Sequence, residues 1–157
     1  MRTPRVYIET SVFNFMFADD APDKRSDTLK FFEEIKAGLY EPYTSEYVLQ
    51  ELMAASEPKQ SKMLSLISDY GITVLPAADD VERLAALYVS EGIIPEKSML
   101  DASHIAATTV NDIDFIVSYN FKHIVKRKTV TMTEVVNLRE GYRRIGIFSP
   151  TEVIDNG

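Results

Sequence analysis

The sequence predicts an α/β domain, a parallel sheet covered by helices on both faces. Three observations carry that expectation. Short runs rich in Val, Ile, Tyr and Phe alternate along the chain with longer runs whose apolar residues recur every three or four positions. Glycines punctuate the helical runs at Gly38, Gly71, Gly92 and Gly141. A length of 157 residues suits one domain with a real core and is short for two, so residues 1–157 are expected to form a single unit.

The elements follow in order. Residues 5–8 (RVYI) read as a strand by their β-branched and aromatic content. Over 27–37, Leu29, Phe31, Phe32 and Ile35 give helical spacing. Residues 40–44 (YEPYT) make a weak strand, because Pro42 confines it to an edge or places the proline at a strand end. A helix is expected over 46–55, and Pro58 opens another whose stripe is Met63, Leu66, Ile67 and Tyr70. ITVL (72–75) is a strand, and residues 79–92 are a helix with Asp at its start and Gly at its end. A helix over 99–111 leads to the strand DFIVS (114–118), then to a basic helical stretch around 121–127. A helix over 131–140 and the strand IGIF (145–148) come next, and "SPTE" (149–152) is a capping-box pattern.

Composition narrows the function. Hydrophobic residues at 45% and charged residues at 26% describe a soluble globular chain. With no cysteine, neither disulfide nor thiolate chemistry is available, and the cytoplasm is the default compartment. No apolar run follows Arg2 and Arg5 to make a signal peptide, and none reaches the length of a membrane span, so no membrane association is expected. A net charge of −7 argues at first against a nucleic-acid partner. The distribution qualifies this. Seven of the 17 basic residues fall between Lys122 and Arg144, where only Glu134 and Glu140 oppose them. Lys122, Lys126, Arg127 and Lys128 are the candidate phosphate contacts, with a solvated helix face as the plain alternative.

The chemistry-bearing residues are acids at element ends. Glu9 follows the first strand at its carboxyl end, where open α/β sheets bind ligands, and Asn120 follows the strand 114–118 in the same way. Glu51 lies among Tyr47, Val48, Ala54 and Ala55 with no local counter-charge. Asp101 sits in the first turn of its helix, where Ser98 and Asp101 also resemble a capping box. Each alone has a structural explanation. Three acids and an amide from four segments together suit Mg2+ or Mn2+, which take one or two carboxylates and keep several waters. With such ions a phosphodiester can be cut by activated water, without a covalent nucleophile. Clustered carboxylates also repel when no cation is present, which predicts raised pKa values for them.

Four stretches in order resemble the PIN-domain nucleases, and especially the toxin-type (VapC-like) branch of bacterial toxin–antitoxin systems. They are "YIETS" (7–11), "TSEYVLQEL" (44–52), "LDASHIAATTVNDIDFIVSYNFKHI" (100–124) and "SPTEV" (149–153). The resemblance implies a three-layer α/β/α sandwich, a divalent metal, and an RNA substrate cut endonucleolytically. It also implies a small antitoxin as partner and a homodimer, and makes Glu9, Glu51, Asp101 and Asn120 the metal site, the three acids being catalytic. Glu9 stands where the family usually has Asp, and Asn120 where it often has an acid. The alternative from another class is a PIN-like module that holds RNA or protein at a degenerate acidic site without cutting it.

Several other residues carry two readings. His104 shares a helix face with Asp101 and could bond a carboxylate, or be a buried polar residue with a backbone partner. His123 borders the site from the other side. Thr10 and Ser11 could orient Glu9, or be ordinary turn hydroxyls. Phe13, Phe15, Phe17 and Tyr119 could stack on bases, though core packing is the commoner use.

Overall fold

The computed structural model describes residues 2–155. Five strands, β1 (Arg5–Ile8), β2 (Glu41–Ser45), β3 (Thr73–Leu75), β4 (Phe115–Val117) and β5 (Gly146–Phe148), form one all-parallel sheet in the order β3-β2-β1-β4-β5. The helices are α1 (Thr10–Phe15), α2 (Pro22–Lys36), α3 (Glu46–Leu52), α4 (Lys59–Asp69), α5 (Asp79–Ser90), α6 (Met99–Val110), α7 (Arg127–Arg139) and α8 (Pro150–Val153). The architecture is the three-layer α/β/α sandwich that the alternating pattern predicts.

Burial explains why the central strands form. Val6, Tyr7 and Ile8 of β1 are fully buried, as are Ile116 and Val117 of β4, so both strands are apolar on both faces. Pro42 sits in an interior strand without breaking it. Glu41 donates its N–H to Pro4, on the β1 side. Strand alternation therefore turns the Pro42 nitrogen toward β3, where pairing begins only at Tyr43 with Thr73. The proline lies at a strand end, as its missing donor requires.

The order of the strands fixes where a ligand goes. Connections from β1 to β2 to β3 step one way across the sheet, and those from β3 to β4 to β5 step the other. Right-handed crossovers then put α1 to α4 on one face and α5 to α7 on the opposite one. The order reverses between β1 and β4, which opens a crevice beyond their carboxyl ends. Ser149 and Glu152 make the expected capping box at α8.

Several boundaries differ from the sequence pattern; α3 ends at Leu52 and not at residue 55, and α7 begins at Arg127 and not at residue 131. Helix α2 begins five residues early, because Pro22 supplies a compatible first turn. Residues 10–15, which carry no helical stripe of useful length, form α1. Residues 121–126 are turns and not helix: the Asn120 carbonyl accepts the N–H groups of Ile124 and Val125, and the helix starts only at Arg127.

Candidate functional site

Glu9 is the first residue beyond β1, only 4% exposed, and it is the N-cap of α1. Its backbone N–H still bonds Val117 of β4 at 3.2 Å, so the residue is anchored between the two strands that flank the crevice. Its Oε1 accepts the Ser11 hydroxyl at 2.5 Å, the Ser11 N–H at 3.2 Å and the Ser118 hydroxyl at 2.6 Å. Ser11 therefore orients Glu9. Its hydroxyl oxygen also accepts the Tyr119 N–H at 2.8 Å, which ties α1 to the segment after β4.

Glu51, on α3, faces the same crevice. Its counter-charge is local in space and distant in sequence: Oε1 accepts from His104 Nε2 of α6 at 2.6 Å and from the Thr10 hydroxyl at 2.7 Å. Burial alone raises the Glu51 pKa, but the hydrogen bond and charge of His104, with the Thr10 bond, bring it below the ordinary 4.5. His104 is fully buried, which disfavours its charge, yet Glu51, Glu9 and Asp101 raise its pKa above 6.5. Both shifts favour the imidazolium–carboxylate form of the pair. In that form the ring donates at both nitrogens, Nδ1 to the Tyr7 oxygen at 2.7 Å. The Tyr7 proton then turns to the Ser45 hydroxyl at 2.6 Å, and burial keeps that phenol neutral. A buried chain of Ser45, Tyr7 and His104 thus holds Glu51 from behind.

Asp101 is half-buried in the first turn of α6. Burial raises its pKa, against the pull of His104, Asn120 and His123. The expected mutual repulsion is thus only part of the cause here, and at Glu51 the shift runs the other way because His104 supplies a cation. Asn120 follows β4; its side chain lowers the Asp101 pKa, and its Oδ1 accepts the His123 N–H at 2.9 Å. One ligand atom from each of Glu9, Glu51 and His104 lies within 4.8 Å of the others. Every described hydrogen bond to the Glu9 and Glu51 side chains falls on Oε1, leaving Oε2 of both carboxylates for another ligand. Rigid carboxylate oxygens of this kind are the donors that Mg2+ and Mn2+ take.

The basic stretch divides in two. Arg139 pairs with Glu91 and Glu140, Arg143 with Asp112 and Asp114, and Arg144 with Glu134, so these are surface ion pairs. Lys122, Lys126, Arg127 and Lys128 are exposed, and among the described residues none of them forms an ion pair. Lys128 donates to the Gly92 carbonyl at 3.1 Å.

Ser118 is the site residue that sequence reasoning missed. It is fully buried, donates to Glu9 and accepts the Asn120 N–H at 2.9 Å, joining two candidate ligands through one hydroxyl. A serine ending a strand carries no signal of this by itself. Ser118→Ala leaves the Asn120 N–H without that acceptor and should lower stability by roughly 1–3 kcal/mol, measured by urea denaturation.

No protein-family profile matches the chain, and no curated protein sequence matches it. Among solved structures, it is similar to Mycobacterium tuberculosis VapC20, a Sarcin-Ricin loop cleaving toxin. The TM-score is 0.54 at 17% identity, over 73% of this chain and 88% of that one. The two share a fold.

Proposed function

We propose that the chain, as a single domain over 1–157, is a Mg2+- or Mn2+-dependent endoribonuclease, and that it is the toxin of a toxin–antitoxin pair. One observation carries this. Two carboxylates at the switch point of a PIN fold are each fixed through Oε1 and keep Oε2 for a ligand. Glu9, Glu51, Asp101 and Asn120 are the proposed metal residues, the three acids being the catalytic ones. When bound, one or two such ions supply Lewis-acid charge at the phosphodiester.

The chain's own residues supply preorganisation. Ser11 and Ser118 fix Glu9, while Thr10 and His104 fix Glu51, as partners of ligating carboxylates do. Asn120 is proposed to position Asp101 beside them. Lys122, Lys126, Arg127 and Lys128 are proposed to contact phosphates, which position a nucleic acid without reading its sequence. A small antitoxin, a homodimer and a cytoplasmic setting belong to the same proposal. No helix among the described residues is long and apolar enough to cross a membrane.

The test is cleavage of end-labelled RNA by the purified protein in Mn2+, in Mg2+ and in EDTA. Cleavage in either ion, lost in EDTA and recovered on adding metal back, is the expected result. RNA that is bound but left uncut under every condition favours the non-catalytic binding module.

A further inference from the structure

Next to the acidic crevice is a group of rings and an ammonium that the metal chemistry does not use. The Lys24 Nζ of α2 lies 5.0 Å from the centroid of the Phe15 ring, 5.9 Å from Tyr119 and 5.7 Å from Phe121. Two of the rings are structural. Phe15 and Tyr119 pack at 4.7 Å between centroids, and the Tyr119 hydroxyl bonds Thr28 at 2.8 Å. Phe121 is different: 49% of its surface is open, although it adjoins Asn120 in the chain.

We propose that Phe121, with Lys24 beside it, is the platform on which a nucleobase next to the bound phosphodiester stacks; this rests on the RNA reading of the site. Exposed aromatic rings take any base by its π-face, and a flanking cation meets the phosphate. Lys24 has no carboxylate partner among the described ion pairs, so its charge is available to an anion. Contacts through Ser11 and Tyr119 link this group to Glu9. Ser11, which fixes Glu9, and Phe15, which packs on Tyr119, both line an open cavity of about 360 Å³ with Lys59 on its rim. Asp20 also lines this cavity and opposes an anion there. An isolated exposed phenylalanine needs no explanation. One under an unpaired lysine, one residue from a candidate metal residue, has the charge and shape of a nucleotide subsite.

The experiment uses the full chain in EDTA, so that no RNA is cut, with fluorescein-labelled single-stranded heptanucleotides and an abasic heptamer of the same charge. Phe121→Ala should weaken binding of the base-bearing RNA by about tenfold, and Phe121→Trp should restore it. The abasic strand should bind the unmodified protein and Phe121→Ala equally. Lys24→Ala should weaken both strands and reduce the slope of log affinity against log salt by about 0.7. Unchanged melting temperatures would show that the surface changes leave the fold intact.

Equal affinity of Phe121→Ala and the unmodified protein for base-bearing RNA overturns the platform and makes the ring apolar cover for a protein partner. An equal loss for the abasic strand overturns it too. Cleavage in Mn2+ is scored separately, so a failed platform with cleavage intact leaves the nuclease standing. A working platform without cleavage leaves the platform standing alone, and absence of any RNA binding overturns both.

Discussion

Glu9→Gln and Glu51→Gln should each reduce metal-dependent RNA cleavage by more than about 100-fold, beyond the roughly 10–100-fold typical of outer partners of a metal site. Glutamine is nearly isosteric and its carbonyl oxygen can replace Oε1. It thus keeps the Ser11 and Ser118 donors at position 9, and the Thr10 and His104 donors at position 51. The amide nitrogen then replaces Oε2 and removes the ligand atom alone. Both variants should fold and melt as single transitions but lose the rise in melting temperature that saturating Mn2+ gives, about 2.7 kcal/mol of stabilisation at a hundredfold excess over Kd. Asp101→Asn should lose the same rise while keeping or raising stability without metal, since burial already disfavours its charge. Glu9→Asp tests the site more finely and should keep metal binding. If Glu9→Gln cuts RNA as fast as the unmodified protein, Glu9 is a helix cap and nothing more.

His104→Ala carries the largest expected cost to the fold. It leaves the Tyr7 hydroxyl and the Glu51 carboxylate without their shared partner, in a site where the imidazole is fully buried. Breaking a buried pair costs about 3–5 kcal/mol, and Glu51 is partly exposed, so a loss of roughly 3 kcal/mol and a melting point about 6–12 °C lower are expected. The pH profile identifies the cause. Because the folded-state pKa of His104 is raised above 6.5, its contribution is fully present below that value and lost as pH rises through the raised pKa. Because that of Glu51 is lowered below 4.5, its contribution is present above that value and lost as pH falls through the lowered one. Asp101, raised by burial, adds a loss on the rising side within the carboxylate range. Thermal melts from pH 4 to 9 should show the pair's contribution greatest between these ordinary values, and His104→Ala should remove the decline above 6.5. A variant that keeps the alkaline decline would assign it to another group.

The positions of Glu9 and Asn120 in the fold were legible in the sequence, for a definite physical reason. Glu9 and Asn120 end strands of a parallel sheet, and sheet topology brings such ends together whatever the loops do. The alternation of strand and helix was equally plain, because buried parallel strands are uniformly apolar. The pairing of Glu51 with His104 was not legible, since it joins helices 53 residues apart and depends on which way α6 turns its faces. Helix α1 was hidden because six residues are too few to set up a period, and its cap, Glu9, doubles as a site residue. The run 121–126 read as helix from its composition, while the structure spends Asn120 on a turn that sets Phe121 at the surface.

The central place of β1 has a consequence for synthesis. Its neighbour β4 follows more than a hundred residues later, and the bond from Ser118 to Glu9 spans 109 residues. At translation rates of about 5–20 residues per second, Glu9 waits roughly 5–20 s after it is made for the serine that orients it. For most of that interval the nascent chain has its first carboxylate but neither the α6 imidazole nor the hydroxyl after β4. A truncated product of an interrupted ribosome, ending before residue 115, lacks the whole far wall of the crevice. The hydrogen bonds that fix Glu9 are therefore completed only when the last quarter of the polypeptide is made, a delay built into strand order.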